Sequence, residues 1–339
     1  MPMARYLLSR TLQAIGVVVG VVILTFVIAR LVPGDPAVAY AGPKATPEEI
    51  AAVRRQFGFD KPALQQFFDY LFGLLRGDWG TSLHTKQPVL DDLTRVIPTT
   101  LLLVVTALVV VVAVGIPVGI FAARSQGRLG DVLSKVASIL AVSMPVFWLA
   151  ILLQTLFFSR LGWFPVAGQY DSALDASSPL YTVVGVPIVD AALTGNWPVF
   201  LSAAQHMVLP VIAIAAFPVG SCVMVTRAAM LENLGEEHVR MVRALGFPGR
   251  AILGRFALRP ALNPILALIA LLFAYSLTNS FIVESVFNWP GLGSYAIKSI
   301  QSLDIPAILG VTLFVALSYV FLNLVVDVLQ AIIDPRVNA

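Results

Sequence analysis

Six stretches of this chain carry no Asp, Glu, Lys or Arg. They are Thr11–Ala29, Val96–Ala123, Val136–Ser159, Ala191–Thr226, Ala261–Val283 and Ile305–Val326, of 19, 28, 24, 36, 23 and 22 residues. A hydrocarbon layer of about 30 Å takes roughly 20 helical residues at about 1.5 Å each. Five runs therefore fit one spanning helix apiece. The fourth opens on Gly195-Asn196-Trp197-Pro198, a turn signal, which leaves about His206–Thr226 as its span. Only 12% of the 339 residues are charged and 58% are hydrophobic, with a mean hydropathy of +0.87. Soluble domains carry about 25% charged residues, so this surface cannot be kept wet. The sequence is that of an integral membrane protein, expected as an all-α bundle of six spans.

Position, rather than the formal net charge of +3, gives the basic residues their meaning. Arg5, Arg10, Arg124, Arg128, Lys135, Arg227, Arg240, Arg243, Arg250, Arg255, Arg259 and Arg336 fall on one side. Only Arg160 and Lys298 fall in the two later loops of the other side. The excess predicts cytoplasmic termini and a cytoplasmic 227–260 loop, because basic loops stay inside. The long loop of residues 30–95 balances eight Lys/Arg against eight Asp/Glu and lies outside the reach of that rule. The 19-residue first run exceeds the apolar core of a signal peptide and is expected to remain as a span. No nucleic-acid partner is expected.

Gly16/Gly20 and Gly115/Gly119 are small pairs at helical spacing, suited to close helix packing within the subunit ahead of a dimer seam. Pro117, Pro145, Pro210 and Pro218 are expected to kink spans 2, 3 and 4. In the outer loop, Thr46 caps a helix with Pro47 at its first position and Gly58 beyond its end. A second helix starts near Pro62. Its stripe of Leu64, Phe67, Phe68, Leu71, Leu74 and Leu75 is expected to lie flat at the membrane interface or against the bundle.

The 227–260 loop is the most informative stretch. Gly235 and Gly246 bracket Glu236–Leu245, a segment of about 15 Å if helical. Glu236 and Glu237 at its start, with Arg240 and Arg243 nearer its end, match the helix dipole. Val239, Val242 and Leu245 give it one apolar face. Two readings stand open: a membrane-surface anchor, or a peg for a partner protein's groove.

Several chemistries are missing. No Gly-x-x-x-x-Gly-Lys-Ser/Thr loop occurs, so nucleotide binding by that cradle is not expected. No His-Glu-x-x-His, Cys-x-x-Cys or Gly-x-Ser-x-Gly occurs either. His84, His206 and His238 lie far apart, and Cys222 has no cysteine to pair with. Neither a metal, a cofactor nor catalysis is expected on this chain. The assigned spans hold no Asp or Glu, which argues against an ion-coupled carrier. Ser276, Thr278 and Asn279 are polar positions in span 5, open to two readings: lining a path or bonding between helices.

Taken in order, the segments resemble the permease subunits of bacterial ABC importers for oligopeptides and dipeptides, a family with a nickel-importing branch. Arg240-Met241-Val242-Arg243-Ala244-Leu245-Gly246 occupies the place of the family's EAA motif, keeping its closing glycine and nearby small residue. The naming glutamate and alanines are replaced by Arg240, Met241 and Val242. Phe256–Leu262, Val32–Pro36, Gly77–Ser82, Pro145–Ala150, Val283–Gly293 and Asp334–Arg336 match further family segments. The likeness covers nearly the whole chain.

The resemblance implies a type I importer permease in the bacterial inner membrane, half of a path for peptides. Its implied partners are a second homologous permease, two cytoplasmic ATPases carrying ATP and Mg, an outer substrate-binding protein and lipid. Glu236, Glu237, Val239, Arg240, Arg243, Ala244, Leu245 and Gly246 then become the coupling contact to an ATPase. Nickel import is the alternative within the family, and an ion-coupled carrier the alternative outside it. Three regions are expected: 1–31 with the first span, 32–95 as the outer loop, and 96–339 as a five-span core with the 227–260 coupling loop.

Overall fold

The computed structural model describes residues 3–31, 36–42, 45–56 and 58–333. Val32–Asp35 and Asp334–Arg336, most of one family-like segment and the whole of another, lie outside the described residues. The described architecture is helical, with one isolated backbone bridge between Thr81 and Pro88. Helix α1 (Met3–Leu31) is followed by three short helices, α2 (Pro36–Ala41), α3 (Pro47–Gln56) and α4 (Ala63–Leu75). Helices α5 (Val89–Val110) and α6 (Ile116–Arg124) join through a π-helical turn, Val111–Gly115. Next come α7 (Leu129–Ser143), α8 (Val146–Leu153), α9 (Pro187–Thr194), α10 (Trp197–Gly235) and α11 (Glu237–Ala244). The chain ends with α12 (Gly249–Ala251), α13 (Arg259–Val286), α14 (Leu292–Gln301) and α15 (Ile305–Ile333).

Five rods are long and apolar enough to cross a membrane, and the pair α7–α8 makes a sixth crossing only as a bent unit. The third apolar run is therefore no single straight span. Helix α7 ends at Ser143, and the chain turns by 103° before the segment Val146–Arg160. Proline disfavours helical dihedrals in the residue before it, and Met144 is accordingly extended at φ −85°, ψ 125°.

Pro210 and Pro218 behave differently. Both lie buried inside α10, which runs unbroken for 39 residues. Gly195 (φ +70°) and the Asn196 side chain, which accepts from Val199 N–H, start that helix at Trp197. This is nine residues before the expected span. Pro117 follows the π-helical turn, whose widened backbone accommodates the missing donor.

Helix α10 is the axis of the fold. It packs against α5, α6, α7, α8, α9 and α13, and 56% of its most apolar stretch is buried, against 11% in α1. Missing side chains allow the approach. A Cβ at Gly119 would stand 2.6 Å from Thr226 Cβ, and one at Gly115 2.8 Å from Cys222. The Gly115/Gly119 pair thus packs within the subunit, whereas Gly16 and Gly20 have nothing within 4 Å. Helix α1 lies at the periphery on α15, where Arg10 Nε meets Asp327 Oδ2 at 3.4 Å.

The outer loop begins with the expected capping. Thr46 N–H donates to Glu49 Oε2 (2.7 Å) and Glu49 N–H to Thr46 Oγ1 (3.3 Å), closing a reciprocal box at α3. This pairing holds the Glu49 carboxyl below its ordinary value.

Candidate functional site

Helix α11 stands at the end of the bundle where α10 stops. Glu236 leaves the helical path (φ −66°, ψ 149°) and becomes the residue before the first turn, with Glu237 inside that turn and Arg243 in the last. The helix closes by two reversed hydrogen bonds. Gly246 N–H donates to Arg243 O (3.1 Å) and Phe247 N–H to Val242 O (3.2 Å). This six-to-one, five-to-two pattern needs a left-handed residue, and Gly246 supplies it at φ +79°.

One face of α11 is committed to its own chain. Val239 and Val242 are buried with Ile252, against Leu234 and Phe256. The Phe247 ring meets Phe256 edge-on at 5.4 Å, and His238 Nε2 donates to Phe256 O at 3.3 Å. The expected apolar face therefore divides. Val239 fastens the helix and is not available to a partner. Leu245, at the end of the helix, is 68% exposed, and Met241 is 60% exposed. Glu236, Glu237, Arg240, Arg243, Ala244 and Gly246 are exposed with them. The free face combines charges of both signs with two apolar knobs.

The same end carries an ion pair. Arg227 Nε and Nη2 donate to Asp131 Oδ1 (2.6 Å) and Oδ2 (2.9 Å), while Gly127 N–H donates to Asp131 Oδ2 (3.0 Å). Lys135 Nζ adds a contact at 3.4 Å. A bidentate guanidinium–carboxylate pair fixes orientation as well as distance, so the α6–α7 connection is fastened to the lower part of α10 above α11.

The opposite end is closed by a buried carboxylate. Glu284 Oε1 accepts from Thr100 Oγ1 (2.5 Å), and Oε2 from Gly293 N–H (2.7 Å) and Ser294 N–H (3.2 Å). Thr100 Oγ1 in turn accepts from Leu292 N–H at 2.7 Å. Glu284 thus occupies the N-terminus of α14 and fastens it to α5 and α13. Glycines are required there, since a Cβ at Gly291 would stand 2.6 Å from the Glu284 carboxyl and one at Gly293 would overlap Phe281 Cα. Past the other end of α14, buried Asp304 accepts from Ser82 Oγ (2.5 Å) and His84 N–H (3.0 Å), pinning the end of the outer loop to the start of α15.

Two family models match the chain. Residues 115–339 match the inner membrane component of binding-protein-dependent transport systems, and residues 3–106 match the N-terminal part of such a membrane component. The chain belongs to this permease family. It is similar to a probable D,D-dipeptide transport system permease of Escherichia coli K12, 40% identical over 322 residues (95% of this chain, 94% of the relative). A dipeptide transport system permease of the same organism is 35% identical over 99% of both chains. A di/tripeptide system permease of Pseudomonas aeruginosa is 35% identical over 94% of both.

The permease is an integral inner-membrane protein with the all-α architecture of type I ABC importers. Membership sets aside the ion-coupled carrier, and these relatives do not favour the nickel branch.

The residues expected to make the coupling contact lie on α11 and its caps, with Val239 turned inward. The three polar residues of α13 do not form one patch. Ser276 is fully buried, with no hydrogen-bond partner for its Oγ. Thr278 Oγ1 donates to Ala274 O and Asn279 Nδ2 to Tyr275 O, both within the helix. Neither of these two bonds joins helices.

Glu284 corrects the expectation of spans without carboxylates, because α13 continues three residues past the charge-free run, to Val286. Its signal was present in the Val283–Gly293 segment, where a carboxylate precedes two closely spaced glycines. The Asp131–Arg227 pair left no such signal, since its partners stand 96 residues apart.

Proposed function

We propose that this permease forms one half of a peptide path in an ATP-driven importer, opposite a second, homologous permease. Two cytoplasmic ATPases carry ATP and Mg, and this chain holds neither. An extracytoplasmic binding protein delivers the peptide. The relatives' named substrates support di- and tripeptides as the cargo class. The termini and α11 face the cytoplasm in this reading, supported by the twelve basic residues on that side against two in the later outer loops.

Helix α11 is the contact through which ATP hydrolysis acts on the path. The observation that carries this is its construction: a capped helix held from behind by Val239 and Val242, with its other face left free. Glu236, Glu237, Arg240, Arg243, Ala244 and Leu245 meet the ATPase groove, Val239 fixes the helix from behind, and Gly246 returns the chain. Of the α13 residues, exposed Thr278 remains the candidate for the path, while Ser276 is enclosed. The regions 1–31, 32–95 and 96–339 serve as peripheral span, outer loop and translocation core.

Purification in mild detergent, followed by reconstitution with the binding protein, tests the assignment. Two ATPase subunits should copurify, and labelled dipeptide should accumulate only with ATP and binding protein present. Uptake of dipeptide without ATP would overturn it. Labelling of Glu236→Cys from the outer side of intact cells would overturn the orientation.

A further inference from the structure

Helix α4 carries an apolar surface that the bundle does not use. At about 100° per residue, its side chains divide into three sectors. Phe67 and Tyr70 face α1: the Phe67 and Tyr70 rings lie 5.3 and 6.0 Å from that of Phe26, and the Tyr70 hydroxyl reaches the Thr25 side chain. Gln65, Gln66 and Asp69 make the polar sector, where Asp69 Oδ2 pairs with Lys61 Nζ at 2.7 Å. Between them, Leu64, Leu75, Phe68 and Phe72 fall within an arc of about 80°, and they are 69%, 75%, 46% and 53% exposed. The Phe68 and Phe72 rings stack at 6.5 Å along this arc.

The height of the helix identifies what covers that arc. Its contacts on α1 are made by Thr25 and Phe26, inside the charge-free run that ends at Ala29. The contact thus lies three or four residues, roughly 5 Å, inside the apolar limit of α1. At the same level α1 exposes Ile23, Leu24, Val27 and Ile28, so the aromatic arc continues an exposed apolar surface set within the charge-free run of α1. The described contacts come from one turn of each helix, which makes α4 cross α1 rather than run along it. A helix with one protein sector, one apolar sector and one polar sector fits the corner where bundle, acyl chains and headgroups meet.

We infer that α4 is a lipid-interface anchor, with Leu64, Phe68, Phe72 and Leu75 inserted at the boundary between headgroups and acyl chains. The occupant is lipid, not a protein subunit. Its consequence is that the outer loop is fixed at a set depth by two attachments: α4 to lipid and α1, and Ser82 with His84 to Asp304.

The assembled transporter in lipid bilayers, spin-labelled singly at cysteines replacing Leu64, Phe68, Phe72, Leu75, Gln65 or Asp69 in a Cys222→Ser background, tests this. The ratio of collision with oxygen to collision with a polar nickel chelate should be several-fold higher at the first four positions than at the last two. Low collision with both reagents at Phe68 and Phe72 would mean that a protein subunit covers the arc, and would overturn the inference. High collision with the chelate at all six would place α4 in water, with the same result. The unsubstituted transporter gives an independent readout: a membrane-soluble diazirine should label Leu64, Phe68, Phe72 and Leu75 and spare Gln65 and Asp69. Absence of label from the 63–75 peptide would contradict the anchor.

Discussion

Substituting Gly246 separates backbone geometry from packing in α11. A Cβ built at this glycine has no neighbour within 4 Å, so the first added carbon meets no obstacle. What remains is the φ of +79°, which costs a residue with a side chain about 1–2 kcal/mol. The helix is held by the burial of Val239 and Val242, worth roughly 1.5–3 kcal/mol apiece as an upper estimate. Strain of that size weakens α11 without melting it. The opening equilibrium of the last turn should shift by a factor of about 5 to 30. Gly246→Val should show the full effect, Gly246→Ala somewhat less, and Gly246→Asn least, because asparagine tolerates the left-handed region. Hydrogen exchange on the peptide spanning residues 243–247, in nanodiscs, reads the change at the two closing amides. Coupled ATP hydrolysis in the assembled importer should fall in the same order while membrane insertion is unchanged. Equal exchange in wild type, Gly246→Val and Gly246→Asn would refute the argument.

Replacing Glu284 with Leu leaves the donors of Thr100, Gly293 and Ser294 buried without that acceptor. At about 1–3 kcal/mol for each unsatisfied donor, the variant should lose several degrees or more of thermal stability in detergent, and Glu284→Gln should lose less. Gly119→Val should prevent α6 from seating against Thr226, read as loss of monodisperse protein in size-exclusion chromatography, whereas Gly16→Val should be silent. Arg227→Met leaves buried Asp131 with the Gly127 N–H and the more distant Lys135. It should raise proteolysis at the 125–128 turn, and the double variant Asp131→Leu/Arg227→Met should recover part of the loss.

Much of this molecule is legible in its sequence because charge is so costly in hydrocarbon that its absence marks the spans. Capping chemistry is equally local, so the Thr46 cap and the bracketing Gly246 could be read from residue type and spacing. Prolines were not legible in the same way. Pro145 ends a helix while Pro210 and Pro218 sit inside one, and the difference lies in the packing around them, not in the residue. Periodicity located the apolar face of α11 but could not say that its own chain covers Val239 and Val242 while Leu245 stays bare. Counting charge-free residues also cut α13 short at Val283 and so hid Glu284, which its hydrogen bonds make tolerable inside the helix.

The unbroken course of α10 has a mechanical consequence. At about 1.5 Å per residue its 39 residues amount to about 58 Å of continuous helix, from the Asn196 cap to the glycine on which α11 is hung. A beam gripped along its middle by its neighbours behaves as a seesaw. A tilt of about 10° about the midpoint would carry each end about 5 Å in opposite directions. In the proposed coupling, a push at α11 would reach the Trp197 end reversed in sign wherever α10 tilts as one unit.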